Sequence, residues 1–351
     1  MKRLISVCLA AVLLLAGAIP VRADEAVREI YDVEGLRAMT NAPEGRYRLM
    51  NDIDMIGVDW TPIAFSGELD GGGHTLYNLT VTRPGEETRV TRDGNKKEYD
   101  TTLAGLFSAL ENASVHDLRL TGAHVAVEND THCFAALLAG YIDQSDVSAV
   151  SVQGRVRMTS HGVMVGVGGL TGFGFGSFDR CDVKVELVFE DQNFDFRCEE
   201  FMGGVLACGI AEINACVVDI DGYDSCHGYV HNGGLVGMSY HCATQNTGKP
   251  VTNNIIEGRI RFFEDNPDRR AYCEATIGEP LTKPSKTHSN HSSFKSDEVK
   301  TYDVVLLPEL CEEPSYEDTV VAGEGGRWGY TMHQCAGCGY HWTDTYTPPA
   351  S

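Results

Sequence analysis

The chain has 351 residues, 42% of them apolar, which is about two domains' worth of length and enough for a large core. Its formal charge of -22 disfavours nucleic acid and anionic membranes as partners. The same acidity suits cations, basic surfaces or neutral glycans, and it keeps an exported protein in solution.

The chain opens on a secretory signal. Lys2 and Arg3 precede an apolar run from Leu4 to Ile19, and Val21-Arg22-Ala23 supplies the small residues of a cleavage site. The expected mature chain starts at Asp24, with a formal charge of -25 because Lys2, Arg3 and Arg22 leave and no acid does. No later stretch approaches the ~20 apolar residues of a membrane helix. The expected location is therefore outside the cell or on its surface, without membrane insertion. Of the 12 cysteines only Cys8 lies in the signal, so an odd number remains and cannot pair completely within one chain.

Residues 24–46 hold Val27–Met39, where Ile30, Leu36 and Met39 have loosely helical spacing. That suits a short lid over the exposed end of a stacked array. Next comes Phe65-Ser-Gly-Glu-Leu-Asp70-Gly-Gly-Gly-His74, flanked by alternating apolar and polar residues. No helix pattern follows to offer an N-terminus to phosphate, so the glycines read as a hard corner between strands. A charged insertion spans 82–100.

From there the sequence repeats. Short apolar-glycine words recur at Gly105-Leu106-Phe107, Ala136-Leu137-Leu138, Gly169-Leu170-Thr171, Gly204-Val205-Leu206 and Gly234-Leu235-Val236. About a dozen residues after most of them stands a word with strand alternation. Aligned, these words give one column of Leu118, Val150, Cys181, Cys216 and Asn254, and a second of Leu120, Val152, Val183, Val218 and Ile256. Successive members of the first column lie 32, 31, 35 and 38 residues apart. Apolar spacing of i, i+2 over four to seven residues marks strands with one buried face, and no long amphipathic helix intervenes. Two or three short strands per unit describe one coil of a parallel β-solenoid, rising ~4.8 Å per coil. Ordering 30 residues costs ~30–60 kcal/mol, and each buried apolar side chain returns only ~1.5–3 kcal/mol. A coil alone therefore fails, and neighbours must share surfaces.

The words "AGLFS", "GGLTG", "GGVLA" and "GGLVG", each with its following strand, resemble the GLUG-motif repeats of bacterial exported proteins. The segment "YRLMNDIDMIGVDWTPI" leading into "FSGELDGGGHTLYNLTV" is similar to the segment that opens many such arrays. The resemblance covers roughly 47–278. It implies an all-β, right-handed parallel β-helix of the pectate-lyase-like kind, and a bacterial cell-surface or secreted protein.

Chemistry on such a scaffold would need carboxylates clustered on one outer face over neighbouring coils. Asp179, Asp182, Asp219, Asp221 and Asp224 are the candidates, and Asp182, Asp219 and Asp221 could together make a weak calcium site. The paired-Asp words of polygalacturonases are missing, so solvated outer-face acids are the plainer reading. His227, His231 and His241 read as surface or loop histidines. Cys181 and Cys216 share a column and either pack as small apolar residues or join in a disulfide. Cys133, Cys198, Cys208, Cys226, Cys242 and Cys273 lie near coil starts and corners.

After Gly278 the repeat fades, and 279–303, rich in Lys, Ser, His and Pro, reads as a polar linker or excursion. Residues 304–351 form a small Cys-containing β module. Cys335-Ala-Gly-Cys338 is a thiolate knuckle which, with Cys311 and either His333 or His341, would give zinc four ligands; a disulfide is the alternative. The expected function is a non-catalytic exported β-helix that contacts an extracellular protein or glycan in adhesion or ligand binding. The competing expectation is a polysaccharide lyase or hydrolase on the same scaffold.

Overall fold

The computed structural model describes residues 26–85, 88–92, 98–129, 132–160, 162, 164–191, 199–225, 229–239, 249–263, 272–279, 287–299, 316–322, 329–335 and 341–347. They form a parallel β-helix with three long sheets running along it. The first sheet begins with Arg28–Ile30, Arg46–Leu49 and Glu68–Asp70 and continues through Ser114–His116, Ala139–Ser148, Thr171–Asp179 and Leu206–Asn214. The second carries Thr75–Tyr77, Arg119–Asn129, Ser151–Ser160, Asp182–Asp191, Val217–Asp224 and Ile255–Phe263. The third stacks Glu98–Ala104, His132–Ala136, Met164–Gly168, Glu199–Gly203, Tyr229–Gly233 and Tyr272–Glu274. One winding visits the third, first and second sheets in turn, so every neighbour on these ladders comes from the winding before or after.

The two columns read from the sequence lie in the dry interior. Leu118, Val150, Cys216 and Asn254 are fully buried and Cys181 is 1% exposed; Leu120, Val152, Val183, Val218 and Ile256 are equally enclosed. Register joins them directly, Leu120 to Val152, Val152 to Val183, Val183 to Val218 and Val218 to Ile256. The first column owes its regularity to the residue before it. Asp117, Ala149, Arg180, Ala215, Asn253 and Ser289 all have φ between 51° and 62°, one left-handed residue per winding at the corner entering the second sheet. That corner turns the chain sharply and swings the next side chain inward.

The glycine words follow from close approach of backbones. A Cβ on Gly169 would stand 2.0 Å from the Gly204 carbonyl oxygen, and one on Gly204 would stand 2.3 Å from that of Gly234. The windings stack through these points, and no larger side chain fits without moving them apart. Cys181 and Cys216 are both free thiols in this interior; their Sγ atoms lie 3.6 Å and 3.7 Å from the carbonyls of Val147 and Phe178.

Three stretches gain detail, and one expectation changes. The Val27–Met39 stretch is a strand, Arg28–Ile30, paired in parallel with Arg46–Leu49, followed by a helix of one turn, Val33–Arg37, capped by the Asp32 carboxylate. The insertion at 82–100 includes an antiparallel hairpin, Thr88–Arg92 with Glu98–Ala104, at the edge of the third sheet. The polar stretch 279–303 is no linker over its described part. Thr287–His288 pairs with Val251–Thr252, and His291–Ser292 and Lys295–Val299 pair with Ile255–Phe263, adding a further winding. Its inward corner residue is Asn290. The Asn290 Oδ1 accepts from the backbone N–H and the Nδ2 of Asn254, and Asn254 Oδ1 accepts from the Cys216 N–H at 2.9 Å. Amide ladders thus take over where apolar residues end, which hid this winding from a hydrophobic reading.

Beyond it, Tyr316–Val321, Gly329–Cys335 and His341–Thr347 form a three-stranded antiparallel sheet.

Candidate functional site

The acids proposed for calcium do not converge. Asp182 faces Val217 across the second sheet, while Asp219 faces Lys184 and Asp221 faces Glu186. Register therefore sets Asp182 one column away from Asp219 and two from Asp221. Asp221 is already engaged by Arg261 at 2.9 Å and by Arg259 at 3.7 Å. Of the other acids, Asp224 is buried and accepts from Asn232 Nδ2, and the partly exposed Asp179 accepts from Asn214 Nδ2 and pairs with Arg180 at 3.1 Å. His231 is a correction as well. It lies in the strand Tyr229–Gly233, 6% exposed, with its ring stacked on Phe201 at 5.3 Å between centroids. His227 and His241 lie outside the described residues.

For the zinc knuckle, Cys311 and Cys338 lie outside the described residues. His333 and Cys335 belong to the strand Gly329–Cys335, and His341 opens the neighbouring strand opposite Gln334.

The described residues instead bring chemistry together at the glycine corner. Asp70 ends a strand of the first sheet, and Gly72 and Gly73 take φ of 59° and 76° to swing the chain toward the second sheet. Gly71 is pressed against the next winding, where a Cβ would stand 2.4 Å from the Asp117 carbonyl oxygen. The Gly71 and Gly73 N–H groups donate to the carbonyls of His116 and Asp117, both at 2.8 Å. The corner therefore clamps the next winding's corner beneath it. Register then places Asp70 beside His116 and Glu68 beside Ser114, with Arg46 and Arg48 on the preceding winding.

Around the His116 ring the carboxylates close in from both sides. Nδ1 lies 2.9 Å from Asp117 Oδ2 and 3.7 Å from Asp70 Oδ1, and Nε2 lies 3.7 Å from Glu68 Oε1. Glu68 is held by the Arg46 guanidinium at 2.9 Å and 3.1 Å, a forked pair that fixes its orientation. The hydrogen bonds from Arg46 hold the Glu68 carboxyl below the usual carboxylate range, the Arg46 and His116 charges help, and partial burial opposes them. Arg48 Nε sits 3.4 Å from Asp70 Oδ2, and the Gly72 N–H donates to Asp70 Oδ1 at 2.7 Å. The imidazole is about a quarter exposed, so water and small ions reach it. One Asp70, one His116 and one Asp117 ligand atom lie within 4.8 Å of one another, and no other such trio of His, Cys, Asp or Glu occurs among the described residues.

Reading the sequence word by word hid this cluster. "GELD" and "SVHD" each look like ordinary alternating strands. Aligning Leu69 on Val115, both fully buried, superimposes Asp70 on His116 and would have revealed it.

A groove of about 670 Å³ lies elsewhere on the first windings, lined by Arg37, Asp59, Thr61, Ser66, Ser108 and Glu111 among others. Trp60 forms part of its wall but is 1% exposed, with its indole N–H donating to the Leu106 carbonyl. The groove mixes hydroxyl and charged side chains with apolar ones such as Pro62, Ile63 and Phe65.

No known family's sequence profile matches the chain. Halomucin of Haloquadratum walsbyi is 31% identical over an alignment of 173 positions that covers 42% of this chain. The matched part is only 2% of halomucin's own length. Among solved structures, a Bacteroides ovatus protein provisionally described as an immunoglobulin A1 protease aligns at 13% identity and a TM-score of 0.49, over 78% of this chain and 77% of that one. An IgA1 protease aligns at 16% identity and a TM-score of 0.42, over 80% of this chain and 21% of that chain.

Proposed function

We propose that the protein is an exported β-helix that works outside the cell or on its surface by binding an extracellular protein or glycan along its flank, without catalysis. The observation that carries this reading is the outer face of the second sheet. Its strands reach 9–11 residues, long enough to make a broad flank. Outward positions repeat once per winding: Ser151, Asp182, Val217, Ile255 in one column and Gln153, Lys184, Asp219, Glu257 in the next. Val217 and Ile255 are register neighbours and stand 39% and 42% exposed amid charged residues, an apolar strip with a polar surround. A face of this kind gives many weak, evenly spaced contacts, which suits adhesion better than the convergent groups of an active site. Likeness to halomucin supports an exported protein, and none of the described helices is long and apolar enough to cross a membrane.

The same reading carries the GLUG-type repeat, a right-handed winding, an N-terminal signal and a zinc clasp at Cys311, Cys335, Cys338 and either His333 or His341, or a disulfide among those cysteines in its place, as parts of one surface protein. A screen of the mature chain against glycans and extracellular-matrix proteins tests it. Saturable binding that Val217→Asp or Ile255→Asp weakens at unchanged melting temperature is expected. Turnover of polygalacturonate or a related glycan, abolished by Asp219→Ala, would establish the competing enzyme in its place.

A further inference from the structure

We propose that Asp70, His116 and Asp117 form a binding site for a divalent transition-metal ion of the zinc class, clamped between two windings at the glycine corner. The proposal stands independently of the flank-binding function above.

The donor set fits such an ion. One imidazole nitrogen with two carboxylate oxygens is a mixed nitrogen–oxygen set that suits zinc and its neighbours, whereas calcium and magnesium take oxygen ligands. The spacing fits too. Ligands ~2.0–2.1 Å from a tetrahedral zinc stand roughly 3.3 Å apart, and the His116 Nδ1 contacts of 2.9 Å and 3.7 Å bracket that distance. The Asp70, His116 and Asp117 side chains are 24%, 27% and 57% exposed, so water can reach the ion.

Three carboxylates surround the ring, so a cation can take the place of its proton. A neutral imidazole carries a single hydrogen. With that hydrogen on Nδ1 the ring donates to Asp117 Oδ2 at 2.9 Å. With the hydrogen on Nε2 instead, the Nδ1 lone pair is free for a metal ion shared with the oxygens of Asp70 and Asp117. Glu68, 3.7 Å from Nε2, is placed on the side where an outer carboxylate orients a ligating histidine, and Arg46 locks Glu68 in turn. Asp70 and His116 sit on register-paired strands, so two of the three ligands are held by rigid elements. Asp70 keeps lone pairs free beyond those used by Gly72 and Arg48.

The test is calorimetric titration of zinc chloride into the chelator-stripped mature chain carrying Cys335→Ser and Cys338→Ser, so that the terminal thiols do not compete. One equivalent is expected to bind, at least tenfold more weakly in His116→Gln and in Asp117→Asn, with calcium chloride giving no saturable heat. Both variants are checked by thermal melting, and Asp117→Asn, at an exposed position, keeps the experiment decisive if His116→Gln unfolds. No saturable zinc binding, or binding that both variants leave unchanged, overturns the proposal.

Discussion

Gly204 shows how one missing atom sets the spacing of the whole stack. A Cβ there would lie 2.3 Å from the Gly234 carbonyl and 2.5 Å from a Val218 methyl, both on the next stretch of chain. Neither can yield without opening the ladder, so Gly204→Ala should cost about 1–3 kcal/mol, read as a lower urea midpoint. An unchanged midpoint would mean that the windings are less tightly apposed than these contacts imply. Val183 is the complementary case: it is fully buried between Val152 and Val218. Val183→Asp places an unpaired carboxylate in that column and should prevent folding or sharply lower the melting temperature. Burial also pushes the Cys133 thiol up to about 11. It therefore remains a neutral thiol at pH 8, and maleimide should label it only after denaturation; label found at Cys133 by peptide mapping of the native chain would place it at the surface.

At the scale of elements, the corners carry what the strands cannot. The forked Arg46–Glu68 pair ties two successive windings of the first sheet, and it depresses the Glu68 pKa in the folded chain. A depressed carboxyl stabilises the fold above its unfolded pKa, and that contribution fades as pH falls through the lower folded value. Arg46→Ala should therefore move the Glu68 titration, followed by side-chain carboxyl NMR, upward toward the ordinary range and bring acid unfolding to a higher pH. Solvent screening at these half-exposed groups keeps the energetic effect small. The strands and their inward columns were legible in the sequence because each winding repeats the same demand, an apolar residue just after a left-handed corner. The Asp70–His116 contact was not. It depends on the register between strands 46 residues apart, with the 82–100 insertion between them. The calcium grouping failed for a related reason: Asp182 and Asp219 share a face of the second sheet, yet a two-residue offset in register puts each beside a different partner.

Over the whole molecule, the question is where the stack ends, and the asparagines decide it. Residues 279–303 contain few apolar groups, so hydrophobic patterning stops at Gly278. Yet Asn290, itself half-buried, continues the corner column beyond the buried Asn254, 36 residues on, in step with the earlier windings. Its Oδ1 accepts from Asn254 N and Nδ2, each at 3.0 Å, and its Nδ2 donates to the Val251 carbonyl at 3.0 Å. Removing it takes away the bonds to the buried Asn254 N–H and to the Val251 carbonyl, while Asn254 Nδ2 keeps its bond to the Ile213 carbonyl at 3.1 Å; each group left unsatisfied costs about 1–3 kcal/mol where water cannot replace the bond. If residues 287–299 are a true winding, Asn290→Ala should lower the melting temperature by several degrees and speed amide hydrogen exchange in the strand Ile255–Phe263 above it. A substitution in a linker would leave both unchanged. Asn290→Asp separates the acceptor role from the donor role: it keeps the oxygen that Asn254 needs, loses the bond to Val251, and should fall between the two. A ranking in which Asp and Ala are equally mild would return this segment to a tether and end the β-helix one winding earlier.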